Sequence, residues 1–188
     1  GIVGYIGKKE ACPIIIKGLK RLEYRGYDSA GIALINNEKL RVFKEKGKVS
    51  DLEDSISRDI SSTIAMGHTR WATHGVPNQV NAHPHISKSG KLSLIHNGII
   101  ENYASIKETL QSKGNTFLSD TDSEVLIHLI EDIKNNENID LFQAVRIALT
   151  EVVGAYAIIV MDEENSNELI VARKGSPLLI GVGHNEYY

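Results

Sequence analysis

The 188-residue chain, with 41% apolar residues, fits a single globular domain, and no apolar stretch approaches the roughly 18 residues that a membrane helix needs. Its 21 lysines and arginines stand against 24 aspartates and glutamates, for a net charge of -3, and no basic run follows a phosphate backbone, which argues against a nucleic-acid partner. The single cysteine, Cys12, excludes an internal disulfide, and the opening GIVGYIG lacks the layout of a signal peptide, so a cytoplasmic location is expected.

The first third of the chain predicts strands separated by two helices. The apolar run Ile2–Ile6 predicts a buried strand. Apolar residues three and four apart over Ala11–Leu22 predict a helix, with Pro13 in its first turn. The signal Asn36-Asn37 predicts a hairpin turn. The other predicted elements are strands at 32–35, 40–46 and 63–67 and a short polar helix at 51–58.

The rest of the chain predicts a long loop, three helices and more strands. Residues 70–90 show neither the helical nor the strand period of apolar residues, which predicts a long loop. Loops of this length in compact domains are often functional. A strand at 91–96 is predicted to end in a turn at Asn97-Gly98, and Asn102 is predicted to cap the next helix. Apolar stripes predict helices around 125–133 and 141–152 that lie against a sheet, and strands are predicted at 154–161, 169–173 and 178–182. The pattern predicts a layered α+β fold.

Polar residues that this patterning does not explain fall in four segments: 24–31, 68–75, 83–85 and 96–98. In the last segment, Asn97-Gly98 is ambiguous. The pair is a common turn, and it is also suited to an oxyanion hole, in which the Asn amide and the Gly N–H donate to one oxygen. Spacing in the sequence leaves both interpretations open.

A second candidate is the segment that begins at Arg70-Trp71. An arginine fork, an aromatic lid and the polar side chains of Thr73 and His74 make a plausible cradle for a carboxylate. A surface arginine paired with an acidic residue explains the same residues equally well.

Metal chemistry and cysteine chemistry are weaker candidates. His83 and His85 have a spacing that suits a metal, with Asp122 or Glu124 to complete the set, although such a loop is more often a hydrogen-bonded turn. Cys12 is more simply a small buried apolar residue than a nucleophile. Neither a metal nor another cofactor is expected.

The motifs taken together show a resemblance that covers essentially the whole chain. In order, GIVGYIG, LEYRGYDSAG, HTRWATHG, NAHPH, HNGIIENY and SDTDSE closely resemble the N-terminal glutaminase domain of the glutamine–fructose-6-phosphate aminotransferase family, within the class II glutamine amidotransferases. The resemblance implies the N-terminal-nucleophile hydrolase fold, a four-layer αββα sandwich with two antiparallel sheets. It also implies that residues 1–188 are a glutaminase domain cut before a sugar-phosphate isomerase region.

The resemblance further implies roles for individual residues. Asn97 and the N–H of Gly98 match the oxyanion hole, and Arg25 matches a residue that supports the nucleophile. The implied glutamine-binding residues are Arg70 for the α-carboxylate with help from Thr73 and His74, Asp122 for the α-ammonium, Trp71 as a gate, and His83 in a segment that closes around glutamine.

The nucleophile of this family is a cysteine directly before the Gly-Ile-Val-Gly that here begins at Gly1. A polypeptide that begins at Gly1 is therefore expected to bind L-glutamine without hydrolysing it, whereas the parent protein, expected to be a homo-oligomer, passes ammonia to its isomerase region to make glucosamine 6-phosphate. Two alternatives stay open: a noncatalytic glutamine-binding module, and a metallohydrolase that uses His83, His85 and Asp122.

Overall fold

In the computed structural model, two antiparallel sheets are flanked by helices. The structure describes residues 1–26, 28–57, 59–71 and 78–188, and of residue 25 the backbone alone. The strands are β1 (Ile2–Ile6), β2 (Ser29–Asn36), β3 (Lys39–Lys46), β4 (Ile64–Arg70), β5 (His85–Ile86), β6 (Leu92–Ile100), β7 (Gly154–Asp162), β8 (Asn165–Lys174), β9 (Val182–Gly183) and β10 (Glu186–Tyr187). The helices are α1 (Ala11–Leu22), α2 (Val49–Ser55), α3 (Tyr103–Ser112), α4 (Asp122–Glu137) and α5 (Leu141–Glu151), with a short 3-10 turn at Glu23–Arg25.

The two sheets have simple orders. The first sheet runs β3-β2-β4-β1-β10-β9, and the second runs β5-β6-β7-β8. In the first sheet β4 pairs on both sides, so that His68 lies opposite Gly31 of β2 and Ile2 of β1. In the second sheet β6 pairs with β7 along its whole length, with Asn97 opposite Ala157.

Three apolar clusters define four layers. The first joins α1 and α2 to the first sheet, through residues such as Ile15 and Leu52. The second lies between the sheets, where Met66 and Ile95 take part. The third joins the second sheet to α4 and α5, through residues such as Ile127. The predicted α+β architecture, helices outside and two antiparallel sheets inside, is therefore confirmed.

Most predicted elements are found, several with shifted ends. The strand Ile2–Ile6 and the helix Ala11–Leu22 have the predicted bounds. The helix predicted at 51–58 instead begins at Val49 and ends at Ser55. The hairpin turn falls at Asn37 and Glu38, whose φ angles are 49° and 59°, as a two-residue turn of the primed type requires. Asn36 is the last residue of the strand.

Other predictions were wrong. Asn97-Gly98 lies inside β6 and is not a turn, because the strand continues to Ile100 in register with β7. Arg70 ends a strand and does not begin a loop. Asn102 does not cap α3 with its side chain, which instead donates to the carbonyl of Glu151 at 2.8 Å and accepts from the N–H of Val153 at 2.9 Å.

The ends of the second sheet and of the chain also differ from the predictions. Of the strand predicted at 178–182, only Val182 is in a strand. The two-residue strands β5 and β10 have no signal in the sequence. Among the described residues, no helix is both long enough and apolar enough to cross a membrane.

A close approach at Gly31 brings the 83–85 segment against the first sheet. A Cβ on Gly31 would lie 2.1 Å from the carbonyl oxygen of His83. Only a residue without a Cβ allows this contact, because backbone atoms have little room to yield. Gly31 therefore sets the position of His83 relative to β4.

We expect Gly31→Ala to destabilise the fold. The added methyl meets backbone, so the free energy of unfolding should fall by about 1 to 3 kcal/mol, the usual cost of overpacking. Gly181→Ala is the matched control, since its Cβ would meet its nearest neighbour at 3.5 Å, an ordinary contact. Urea unfolding of both variants measures the difference. Equal stabilities for the two would contradict the proposed tight contact.

Candidate functional site

A cavity of about 350 Å³ opens at one end of the sandwich, where β4, β6 and the start of α4 meet. Three of the four polar segments singled out from the sequence reach it, together with Asp122. The lining residues are Gly1, His68, Thr69, Arg70, Trp71, His83, His96, Asn97, Gly98, Ile99, Thr121, Asp122 and Ser123. The fourth segment borders it, because Gly26 lies against the backbone of Arg70.

The N-terminus is held at the floor of the cavity. The amino group of Gly1 donates to the carbonyl of Thr69 at 2.5 Å and to the Thr69 hydroxyl at 3.2 Å. The pairing of β1 with β4 continues to Ile2 opposite His68, which brings the chain start to this point. A residue attached to Gly1 would therefore enter the cavity region directly.

Asn97 is fixed by a hydrogen bond between the two sheets. His68 Nε2 lies 2.8 Å from Asn97 Oδ1, and His68 is buried at the end of the first sheet. An amide oxygen has only lone pairs, so His68 donates and Asn97 accepts. The Asn97 NH₂ group is on the other branch of the planar amide and is therefore directed away from His68.

The next residue, Gly98, has a backbone conformation that excludes side chains. Its φ is 137°, and a Cβ would lie 2.0 Å from the carbonyl oxygen of Ala155. A glycine is therefore required at this position of β6. The Asn-Gly pair is explained by the strand geometry and by a cavity wall, and not by the turn that the sequence suggested.

Asp122 is the first residue of α4 and is anchored on one side. Its Oδ2 accepts from the N–H of Ile100 at 2.7 Å, and its Oδ1 accepts from the Ser123 hydroxyl at 3.2 Å. Oδ1 also lies 3.9 Å from His96 Nδ1. The carboxylate thus keeps a fixed orientation at the cavity wall, where it can accept from a cation.

Arg70 is the last residue of β4, and Trp71 follows it at the cavity. Arg70 is buried, and burial lowers the pKa of its guanidinium, an effect opposed by the charges of Asp28 and Asp122. The group nevertheless stays charged, as arginine does in proteins. Trp71 is 59% exposed, as a residue at a cavity mouth should be. The wall of the cavity therefore includes one positively charged side chain, Arg70, and one negatively charged side chain, Asp122.

Four histidines are buried at or beside the cavity, and three of them, His68, His83 and His96, line it. The rings of His68 and His83 lie 4.3 Å apart between centroids, and those of His83 and His85 lie 4.7 Å apart. Burial lowers the pKa values of His68, His83 and His85 well below 6.5, and the mutual repulsion of the rings adds to this. Burial also lowers the pKa of His96. These rings are neutral at pH 7.

His83 and His85 are engaged with hydroxyl groups. His85 Nε2 lies 3.0 Å from the Thr121 hydroxyl, and His83 Nε2 lies 3.5 Å from the Ser123 hydroxyl. Within residues 1–26, 28–57, 59–71 and 78–188, no three His, Cys, Asp or Glu side chains are arranged to hold a metal ion. The fourth candidate ligand, Glu124, is used in its own loop, where it accepts from Leu118 and Ser119.

Some predicted site residues cannot be compared with the structure. Thr73, His74 and the side chain of Arg25 lie outside the described residues. Conversely, His68, Thr69 and Ser123 line the cavity but were not singled out individually from the sequence. His68 and Thr69 both fall within the polar segment 68–75, and this segment was the sequence signal that pointed to them.

Cys12 is remote from this cavity. It is the second residue of α1 and lines a different surface pocket, beside Glu10 and Glu53. Burial raises the pKa of its thiol, and the two carboxylates raise it further. A thiol with a raised pKa is a poor nucleophile, which agrees with the interpretation of Cys12 as a structural residue.

Comparison with known proteins gives consistent matches. A family model described as a glutamine amidotransferase domain matches residues 49–179. The whole chain is 62% identical over 190 residues to a glutamine–fructose-6-phosphate aminotransferase (isomerizing) of Bacteroides thetaiotaomicron and 52% identical over 193 residues to that of Chlorobaculum tepidum. It covers 31% of each of these relatives, so it spans less than a third of their length.

A solved structure supports the same assignment. Glutamine phosphoribosylpyrophosphate amidotransferase from B. subtilis aligns with 99% of this chain and 40% of its own, at a TM-score of 0.85 and 32% identity. With the two antiparallel sheets between helices, this likeness confirms the N-terminal-nucleophile hydrolase fold.

The buried histidines predict acid sensitivity. As pH falls below about 6.5, histidines of the unfolded chain bind protons that His68, His83 and His85 do not bind when folded, so stability should decrease. Each such ring contributes up to about 1.4 kcal/mol per pH unit. Urea unfolding between about pH 7.5 and about pH 5.5 measures the slope.

Two variants test whether the buried histidine rings, and not other groups of the chain, cause the loss of stability at low pH. His85→Gln should flatten this slope, because it removes one buried titrating ring, whereas the exposed His184 serves as control in His184→Gln. A stability that does not change with pH over this range would refute the prediction.

Proposed function

Because the chain belongs to the glutamine amidotransferase domain family, we propose that it binds L-glutamine in the cavity between β4, β6 and α4, where the side-chain amide is hydrolysed to release ammonia. The observation that carries this proposal is that Asn97, the cation of Arg70 and the anion of Asp122 line one cavity. Glutamine has one group for each of these residues: an α-carboxylate for Arg70, an α-ammonium for Asp122 and a side-chain amide for Asn97.

The two charged residues suit the two charged ends of glutamine. The Arg70 guanidinium is a planar fork that can donate two hydrogen bonds to an α-carboxylate. Asp122, held by the N–H of Ile100, can accept from an α-ammonium. Trp71, Thr73, His74 and His83 are proposed to complete the binding site, and Arg25 to support the nucleophile.

The proposed nucleophile is the thiol of a cysteine placed directly before Gly1. Its sulfur attacks the amide carbon of glutamine, and the thiol proton is transferred to the amide nitrogen. The C–N bond of the tetrahedral state then breaks to release ammonia and leave a glutamyl thioester. Water then hydrolyses the thioester to glutamate and restores the thiol. During both additions, the Asn97 NH₂ and the Gly98 N–H would donate to the oxygen that gains negative charge.

In the parent protein, we propose that the released ammonia is used to convert fructose 6-phosphate to glucosamine 6-phosphate. This step is supported by the names of the relatives that match along the whole chain. Residues 1–188 are then the glutaminase domain, and its partner is a sugar-phosphate isomerase region of the same protein. A homo-oligomeric parent in the cytoplasm is part of the same proposal.

The experiment that tests this function compares two polypeptides, one beginning at Gly1 and one with a single cysteine ahead of Gly1. We expect both to bind glutamine and only the second to release glutamate, because only it carries the N-terminal thiol. Calorimetry measures binding, and an enzymatic glutamate assay measures turnover.

Cys12→Ala in the extended form should leave the rate unchanged. Equal glutamate release by the two forms would contradict the assignment of the thiol, and binding without turnover in both would favour a noncatalytic glutamine-binding module.

The charge clamp is tested separately by calorimetry with glutamine. Arg70→Ala removes the cation, and Asp122→Asn removes the anion while keeping an oxygen for the N–H of Ile100. Each should weaken binding by about 2 to 5 kcal/mol, the usual loss when one partner of a desolvated ion pair is removed. Glutaramide, which lacks both charges, should not bind.

Two exposed residues give matched controls. Arg146→Ala on α5 and Asp54→Ala on α2 remove the same charges at residues that do not line the cavity and should leave glutamine affinity unchanged. If the two cavity variants bind glutamine as tightly as these controls do, the clamp is wrong.

A further inference from the structure

The contact between His68 and Asn97 is a hydrogen bond through which β4 of the first sheet fixes a side chain of β6 in the second sheet at this cavity. His68 Nε2 and Asn97 Oδ1 are 2.8 Å apart. Both residues line the cavity. The backbone of each is held in a ladder, His68 between Gly31 and Ile2, and Asn97 opposite Ala157. Neither Cα can shift to choose another partner.

The direction of this hydrogen bond decides which end of the Asn97 amide faces the cavity. With a proton on His68 Nε2, the amide oxygen accepts it, and the NH₂ is presented on the opposite branch. With Nε2 unprotonated, the NH₂ would donate to His68, and the oxygen would face the cavity instead. An oxygen there would repel a developing oxyanion rather than stabilise it.

The ring of His68 is well held for this task. It is buried, and the ring of His83 packs against it at an interplanar angle of 31°. Burial keeps its pKa low, so the ring is neutral and carries one proton only. His83 in turn is held by the close approach of its carbonyl to Gly31.

We infer that His68 is a positioning residue, which donates from Nε2 to Asn97 and thereby orients the Asn97 NH₂ toward the reacting oxygen of the substrate amide. The inference rests on the proposed function and assigns His68 a role through Asn97, with no contact to glutamine required. It predicts that the loss of the His68 donor reduces kcat while KM changes much less, because an oxyanion donor acts on the transition state.

The test uses the protein with a cysteine ahead of Gly1. His68→Phe keeps a planar ring and removes the donor, so kcat should fall at least tenfold and at most by the roughly 10² to 10³ that one oxyanion donor supplies. His68→Gln keeps an N–H donor and should recover most of the rate. In an Asn97→Ala background, His68→Phe should cause no further loss, because nothing is left to orient.

A matched control measures the general effect of exchanging a buried histidine. His128 lies in α4 beside Phe117 and away from the cavity, and His128→Phe should leave kcat unchanged. Thermal unfolding of every variant confirms that it is folded. If His68→Phe does not fold, ¹⁵N NMR of the histidine-labelled parent decides the question, since a His68 ring without a proton on Nε2 would overturn the inference.

The outcomes separate this inference from the proposed function. A parent that releases no glutamate, or an Asn97→Ala variant with unchanged kcat, refutes the proposed oxyanion donor and the inference with it. If Asn97→Ala is slow while His68→Phe is normal, the function stands and the positioning role is wrong. The role is also wrong if His68→Phe lowers kcat equally in the presence and absence of the Asn97 side chain.

Discussion

The pairing of β4 on both of its sides is the constraint on which the site depends. The last three residues of this strand are His68, Thr69 and Arg70, all polar and all buried. Because β1 and β2 fix the backbone of the strand, these side chains cannot turn away to solvent. Buried polar groups must find partners where they are. Asn97 and the backbone nitrogen of Gly1 supply such partners, and the polar cavity is the result.

Two neighbouring carboxylates, Glu124 and Asp122, differ in their hydrogen bonds and therefore in their capacity to bind a ligand. Glu124 accepts from the N–H groups of Leu118 and Ser119 and from the Ser119 hydroxyl, so its oxygens are used to fasten the loop before α4. Asp122 has one oxygen on the N–H of Ile100 and faces the cavity. Two residues of the same charge, two positions apart, therefore have different capacities to meet a ligand.

The sequence predicted those features that depend on local patterns. The bounds of α1 are correct because its apolar stripe is set by residues three and four apart. The turn predicted at Asn97-Gly98 is wrong because its strand partner, the segment around Ala157, lies far along the chain. Local turn preference cannot report a pairing at that distance.

The same reason explains the residues that sequence analysis missed. His68 stood within a polar segment of interest, but its partner Asn97 is 29 residues away. No spacing rule relates the two, since they belong to different sheets. The resemblance to a known family supplied roles for Asn97, Arg70 and Asp122, whereas the hydrogen bond that orients Asn97 became visible only in three dimensions.

Because His68 and Asn97 lie on different sheets, the binding of a ligand in this cavity also depends on the order in which the chain folds. Contacts between distant parts of a chain form late, because the entropy of loop closure is lost before such contacts can compensate it. An intermediate with only one sheet formed contains half of the cavity wall and no oriented amide. Any ligand of this cavity therefore binds the fully docked sandwich alone, and by mass action its presence raises the stability of that state over every partly folded one.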